Sequence, residues 1–155
     1  MKAIDNNTLF NRSVIIASLP LDGISGKALC DIIMLQVDYA RAVDAFNKRM
    51  EEGLKKLKEE KYPDFDEESM KPEGERRPEY KAWLDELTAL YTEMRATEAR
   101  KPAETPLPAV TRGILEAVCA QGVEGSVTLP GGTEDSPNAV PKVAVLRMLA
   151  EMVEE

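Results

Sequence analysis

The chain contains no histidine. That removes the commonest general base and the commonest transition-metal ligand at once. It also excludes every Ser-His and Cys-His nucleophile arrangement. Aromatic residues make up only 5% of the sequence, so the core must be built from aliphatic side chains and the seven methionines. There are two cysteines, Cys30 and Cys119, too few for a disulfide framework. Both stand in apolar helical contexts, ALCDII and EAVCAQ, and read as buried free thiols of a reducing compartment. No stretch approaches the ~20 apolar residues that span a bilayer. The N-terminal run SVIIASLPL is short and lacks the basic leader and cleavage site of a signal peptide. These absences point to the cytoplasm and away from a membrane.

The net charge of −8 opposes phosphate backbones, so binding to a nucleic-acid polymer is not expected. At 155 residues, one domain with a core of useful size is expected. No cofactor and no metal site is read from the sequence. Paired acids such as Asp85/Glu86 and Glu51/Glu52 fall on charged helix faces. Gly23-Ile24-Ser25-Gly26-Lys27-Ala28 resembles a phosphate-binding loop only in part. The earlier glycine is replaced by Leu21 and the magnesium-binding hydroxyl by Ala28, so an NTPase is excluded and a simple helix N-terminus remains. No catalytic residue emerges, and an enzyme is not expected.

What is present is helical periodicity. Ser25 to Lys61 holds no proline and one internal glycine, Gly53. Leu29, Ile32, Tyr39, Val43, Phe46 and Met50 recur three and four apart, interrupted by Gln36 and Gly53, and predict one long amphipathic helix of ~54 Å. Before it, Asp5-Asn6-Asn7 offers N-cap side chains for a helix over residues 7–17, with a strand at Val14-Ile15-Ile16 as the competing reading. After it, YPDFDEESMKPEGERR (62–77) has two prolines and dense acids. It reads as a loop unable to order itself, or as a linear motif around Phe65. Pro78 opens a returning helix to about Arg100, in which Trp83 and Leu87 face the long helix.

KPAETPLP (101–108) is a linker. Beyond it, residues 109–155 form a small helical tail on the same core. A helix is predicted over Ala109 to Gln121. Ser126–Leu129 reads as a strand whose partner is Lys2-Ala3-Ile4. Asn138 is expected to cap a last helix, with Pro141 in its first turn and Val143, Leu146, Leu149, Met152 and Val153 on its core face. The expected fold is mainly α: a long antiparallel helical hairpin over 1–100, a compact helical C-terminal segment, and at most a short β pair, one domain overall.

Asn6-Asn7-Thr8-Leu9, Arg12, Leu19, Lys27 and Ile32, then Ala45-Phe46-Asn47-Lys48-Arg49 before an acid- and lysine-rich run, follow a recognisable order. With Thr97-Glu98-Ala99 ahead of a proline-rich segment, this order resembles a family of small helical proteins of tailed bacteriophages. The resemblance covers about two thirds of the chain and stops near Pro106. It implies a short helix, a long helix, an acidic loop and a returning helix, in a phage protein acting in the host cytoplasm. It supplies no catalytic residue.

The leading functional expectation is a non-enzymatic interaction protein that self-associates through its long helices and binds another protein during phage assembly or host takeover. Its expected interface is Leu29, Ile32, Tyr39, Val43, Phe46, Met50, Trp83 and Leu87. The alternative is an oligomer that sequesters a small anionic ligand, such as a nucleotide immune signal, to counter host defence. Arg12, Lys27, Thr111, Arg112 and Arg147 would form its pocket.

Overall fold

A computed structural model describes residues 4–104 and 107–154. The architecture is mainly α, with one short antiparallel β pair near the C-terminus. The helices are α1 (Asn6–Ala17), α2 (Gly26–Lys61), α3 (Phe65–Ser69), α4 (Tyr80–Arg100), α5 (Arg112–Cys119) and α6 (Lys142–Glu151). The strands are β1 (Ser126–Leu129) and β2 (Asn138–Pro141). The chain divides into two compact units, Met1–Val43 with Pro102–Glu155, and Asp44–Lys101. The boundary falls inside α2.

In the first unit α1 begins where the Asp5 carboxylate accepts from the Thr8 backbone N–H at 2.7 Å, a side-chain cap that fixes the register. Leu9, Ile15 and Ile16 are thereby buried, and Val14-Ile15-Ile16 is helical. α2 contributes Ile32, Leu35 and Tyr39 to the same core, with Val118 from α5 and Val145 and Leu149 from α6. Gln36, which interrupts the apolar spacing, donates to the Ile16 carbonyl at 3.0 Å. That carbonyl lies in the last turn of α1, where helical partners run out.

The tail differs from expectation in its strand pairing. β1 pairs with β2, Val127 opposite Val140 and Leu129 opposite Asn138. Of the expected partner, Lys2 and Ala3 lie outside the described residues. Ile4 instead accepts from the Ala103 N–H at 2.8 Å. Asn138 is a strand residue rather than a helix cap; its side-chain amide donates to the Pro130 carbonyl at 3.1 Å. A hairpin closed by a short loop costs less chain entropy than pairing across more than a hundred residues. The last helix therefore starts only at Lys142, and its inward face shifts: Val145 is buried and Val143 is exposed.

The hairpin loop is tight at Gly132. A Cβ placed there would lie 2.3 Å from the Asn138 backbone nitrogen. Backbone cannot swing aside as a side chain can. Gly132→Ala is expected to cost ~1–3 kcal/mol, as overpacking does, and to lower the thermal midpoint in calorimetry with loss of amide protection across β1 and β2.

In the second unit the end of α2 and the length of α4 form an antiparallel hairpin. The Phe46 ring lies near the Arg95 guanidinium, 5.4 Å from its centroid. Gly53 lies where the Met94 sulfur comes within 2.8 Å of an added Cβ. Near the tip, Tyr62 stacks on Trp83 at 5.4 Å, and Lys61 pairs with Glu86 at 3.5 Å. The glycine that weakens α2 as an isolated helix is thus the point of close approach to α4.

Residues 62–77 are ordered, contrary to expectation. Phe65 is buried and stacks on Tyr80 at 5.1 Å, so it is not available as a linear motif. The organiser is Glu68, whose side chain is 1% exposed. One of its oxygens accepts from Lys71 Nζ at 2.7 Å and from Arg77 Nε at 3.1 Å. The other accepts from the Arg77 backbone N–H at 2.9 Å. Arg76 donates to the carbonyls of Lys71 and Ser69. Composition made this stretch look too polar to order, but a buried carboxylate with donors on both oxygens replaces the missing apolar core.

The hydrogen bond from Lys71, then that from the Arg77 N–H, holds the Glu68 carboxyl below its ordinary value of 4.5. Glu86 is lowered by Tyr62, and Asp5 by Thr8. A depressed folded value means stability that is fully present above the ordinary carboxylate range and is lost as pH falls through the folded values. The protein is therefore expected to lose thermal stability below about pH 4.5. Glu68→Gln should lower the midpoint at pH 7 and make the acid limb shallower; a variant with an unchanged acid limb would count against this assignment.

Candidate interaction surface

The residues expected to form an interface are mostly internal. Ile32, Tyr39, Phe46, Met50 and Leu87 are buried within one chain, while Leu29, Val43 and Trp83 are half-buried. Leu29 and Val43 pack against the first unit's core, and Trp83 lies on Tyr62.

The exposed apolar surface of α2 is on its other side. Cys30, Ile33, Val37 and Ala40 follow the spacing three, four, three, which aligns them along one stripe. At 100° per residue the centre of this stripe lies about 150° around the helix from that of Ile32, Leu35 and Tyr39. Ile33 is 43% exposed, Cys30 and Ala40 are exposed, and Val37 is half-buried. Met34, 54% exposed, borders it. No charged residue stands in the stripe between Cys30 and Ala40, whereas the solvent side of an ordinary surface helix is polar.

The two flanks of the stripe are unlike. One holds Leu29, Gln36 and Val43, all engaged with their own unit. The other holds Met34 and Arg41, with Asp31 and Asp38 beyond them. This open flank borders a groove of about 310 Å³ lined by Lys27, Asp31, Met34, Asp38, Pro108 and Thr111, among others. Cys119, like Cys30, is exposed, so neither thiol is buried as its apolar context suggested. An apolar neighbourhood in sequence does not say which side of the helix a residue occupies.

Of the residues expected to hold an anion, Lys27 and Thr111 share this groove. Their functional groups are already engaged. Lys27 is bonded to Asp31 at 2.7 Å, which raises the ammonium above its ordinary value of 10.5. The Thr111 hydroxyl accepts from the Ile114 N–H at 3.2 Å, capping α5. With Asp31 and Asp38 against one lysine, the groove is negative rather than positive. Arg12 bonds to the Tyr39 hydroxyl, which partly offsets the upward push that burial gives the phenol. Arg112 opens α5, and Arg147 is exposed on α6; neither lines the groove.

Comparison with protein families, curated proteins and solved structures finds no match. Function must therefore be argued from the chain's own surface. Among the described residues, no three acidic or thiol side chains are grouped to hold a metal ion, and no helix is long and apolar enough to cross a membrane.

A three-and-four spacing assigns α2 a single apolar side and so leaves the outward stripe out. The signal was present: ALCDIIMLQVDYARAV has more apolar residues than one helical face can hold. As a check on the groove chemistry, Thr111→Ala should cost ~1 kcal/mol, as lost N-caps do, and Thr111→Ser should restore most of it in thermal denaturation.

Proposed function

We propose that this protein is a non-enzymatic interaction protein that works as a self-associated assembly and holds another protein. The observation that carries the reading is the uncharged apolar stripe on the solvent side of α2, opposite a complete core. A contiguous exposed apolar row is the kind of surface that a partner covers; the other exposed large apolar residues, such as Met70 and Val123, lie on other segments. The seam first expected to drive association is buried in the monomer, so association is assigned to the opposite side of the same helix. The action we propose, in phage assembly or host takeover in the host cytoplasm, rests on the resemblance of the sequence to helical proteins of tailed phages.

The alternative, sequestration of a small anion, has less support. Of its five residues only Lys27 and Thr111 line the groove beside α2, and two carboxylates line the same groove. A nucleotide fits poorly against such a wall, since unscreened like charges repel. Native mass spectrometry and light scattering across ~1–100 μM, a span set by typical weak association, should show oligomers above the lower concentrations. A strict monomer throughout would overturn self-association. A thermal-shift panel of mono-, di- and cyclic nucleotides should show no stabilisation; a clear rise with any of them would revive sequestration.

A further inference from the structure

We infer that the occupant of the α2 stripe is a second copy of this chain, with the two α2 helices packed antiparallel about a twofold axis near Leu35 and Gln36. This rests on the self-association reading above and specifies its surface and geometry.

Two features select the antiparallel arrangement. The first is the inequality of the flanks. In parallel pairing each helix sets one flank against the opposite flank of its neighbour; in antiparallel pairing like flanks meet. The Leu29, Gln36 and Val43 flank is occupied by its own core. Only the flank with Met34 and Arg41 is open, and antiparallel packing alone puts open flank against open flank; the occupied flanks then meet on the far side, so the contact leans toward Met34 and Arg41.

The second feature is charge. Antiparallel register brings Cys30 opposite Ala40 and Ile33 opposite Val37. Arg41 of the second copy then lies level with Leu29, ~3 Å along the axis from Asp31, which a guanidinium spans to reach the groove that Asp31 and Asp38 line. Arg41 is exposed and has no ion partner among the described residues. Asp31 shares one oxygen with Lys27 and has acceptor capacity left. Parallel pairing would instead set Asp31 level with Asp31 and Arg41 level with Arg41. The twofold repeats the Arg41–Asp31 contact on both sides, as an isologous interface requires.

The stripe is short, ~15 Å over about three turns. Its area is below that of a standard stable interface, so a dimer dissociating in the micromolar range is expected. Small side chains at Cys30 and Ala40 let the helix axes approach closely, while Ile33 and Val37 interdigitate at the centre.

The test uses the full chain in a Cys119→Ser background carrying Ala40→Cys. Residues 30 and 40 of one helix are ~15 Å apart, too far for a disulfide within the chain. Mild oxidation with oxidised glutathione should give a covalent dimer whose peptide map links position 30 to position 40. Links of 30 to 30 or 40 to 40, or no covalent dimer, would overturn the arrangement. In the unmodified chain, Arg41→Asp should raise the dimer dissociation constant about tenfold, which corresponds to one charge-assisted contact. Asp31→Arg combined with Arg41→Asp should restore it. Failure of the double variant to restore association would count against the pairing.

Ile33→Glu should abolish the dimer without altering the far-ultraviolet circular dichroism or the thermal midpoint extrapolated to monomer, because Ile33 faces away from the core. The outcomes separate the two claims. A wild-type chain that is monomeric throughout sinks self-association and this interface together. An oligomer that survives Ile33→Glu and gives no 30-to-40 link sinks this interface alone.

Discussion

Ile32, Leu35 and Tyr39 leave water along one side of a single helix, and the first unit is arranged by that burial. α1 lays Leu9 and Ile16 against them, α5 adds Val118, and α6 adds Val145 and Leu149. Each such side chain contributes ~1.5–3 kcal/mol when fully buried. Polar groups at the margin then set register rather than strength. Gln36 satisfies a carbonyl in the last turn of α1, and Arg12 meets the buried Tyr39 hydroxyl. A helix fixed this way has no freedom to rotate, so whatever lies opposite the core is held toward solvent. The outward stripe is therefore a consequence of how completely the inward side is satisfied.

The second unit solves a different problem. Its apolar content is low, and its tip is crowded with acids. Apolar burial at Phe46, Met50, Phe65 and Leu87 is supplemented by stacking and by one internal carboxylate. Glu68 receives a lysine, an arginine and a backbone N–H, so the cost of removing its charge from water is offset by directed donors. Those donors come from both sides of the turn between α3 and α4. A single residue thus converts a polar connection into a defined hairpin end.

Electrostatics also bear on the functional readings. A pocket for an anion requires cations whose own partners do not neutralise them. Lys27 is bonded to Asp31, and Asp38 lines the same groove. Such a wall suits a guanidinium better than a phosphate, and the chain carries an exposed Arg41 on the matching flank. Of the five residues expected to hold an anion, only Lys27 and Thr111 line this groove, and both are engaged with neighbours of their own chain.

The sequence by itself determined the longer helices, because the repeat of apolar residues every three or four positions and the prolines that break it are local facts; it did not show α3 or the late start of α6. It determined the long α2, the return of α4 and the mainly helical class. It did not determine the partner of β1, since two strand candidates compete and only the folded chain shows that the nearer one wins on loop entropy. It did not reveal order in residues 62–77, because Glu68 is stabilised by Lys71 and Arg77, whose approach depends on a turn that composition does not encode. The spacing also picked the inward side of α2, since Ile32, Tyr39, Phe46 and Met50 are buried. Only the tertiary structure decided that Ile32 and Tyr39 are covered within one chain rather than left for a second copy, because α1, α5 and α6 pack on them and leave the Cys30, Ile33 and Ala40 side to solvent.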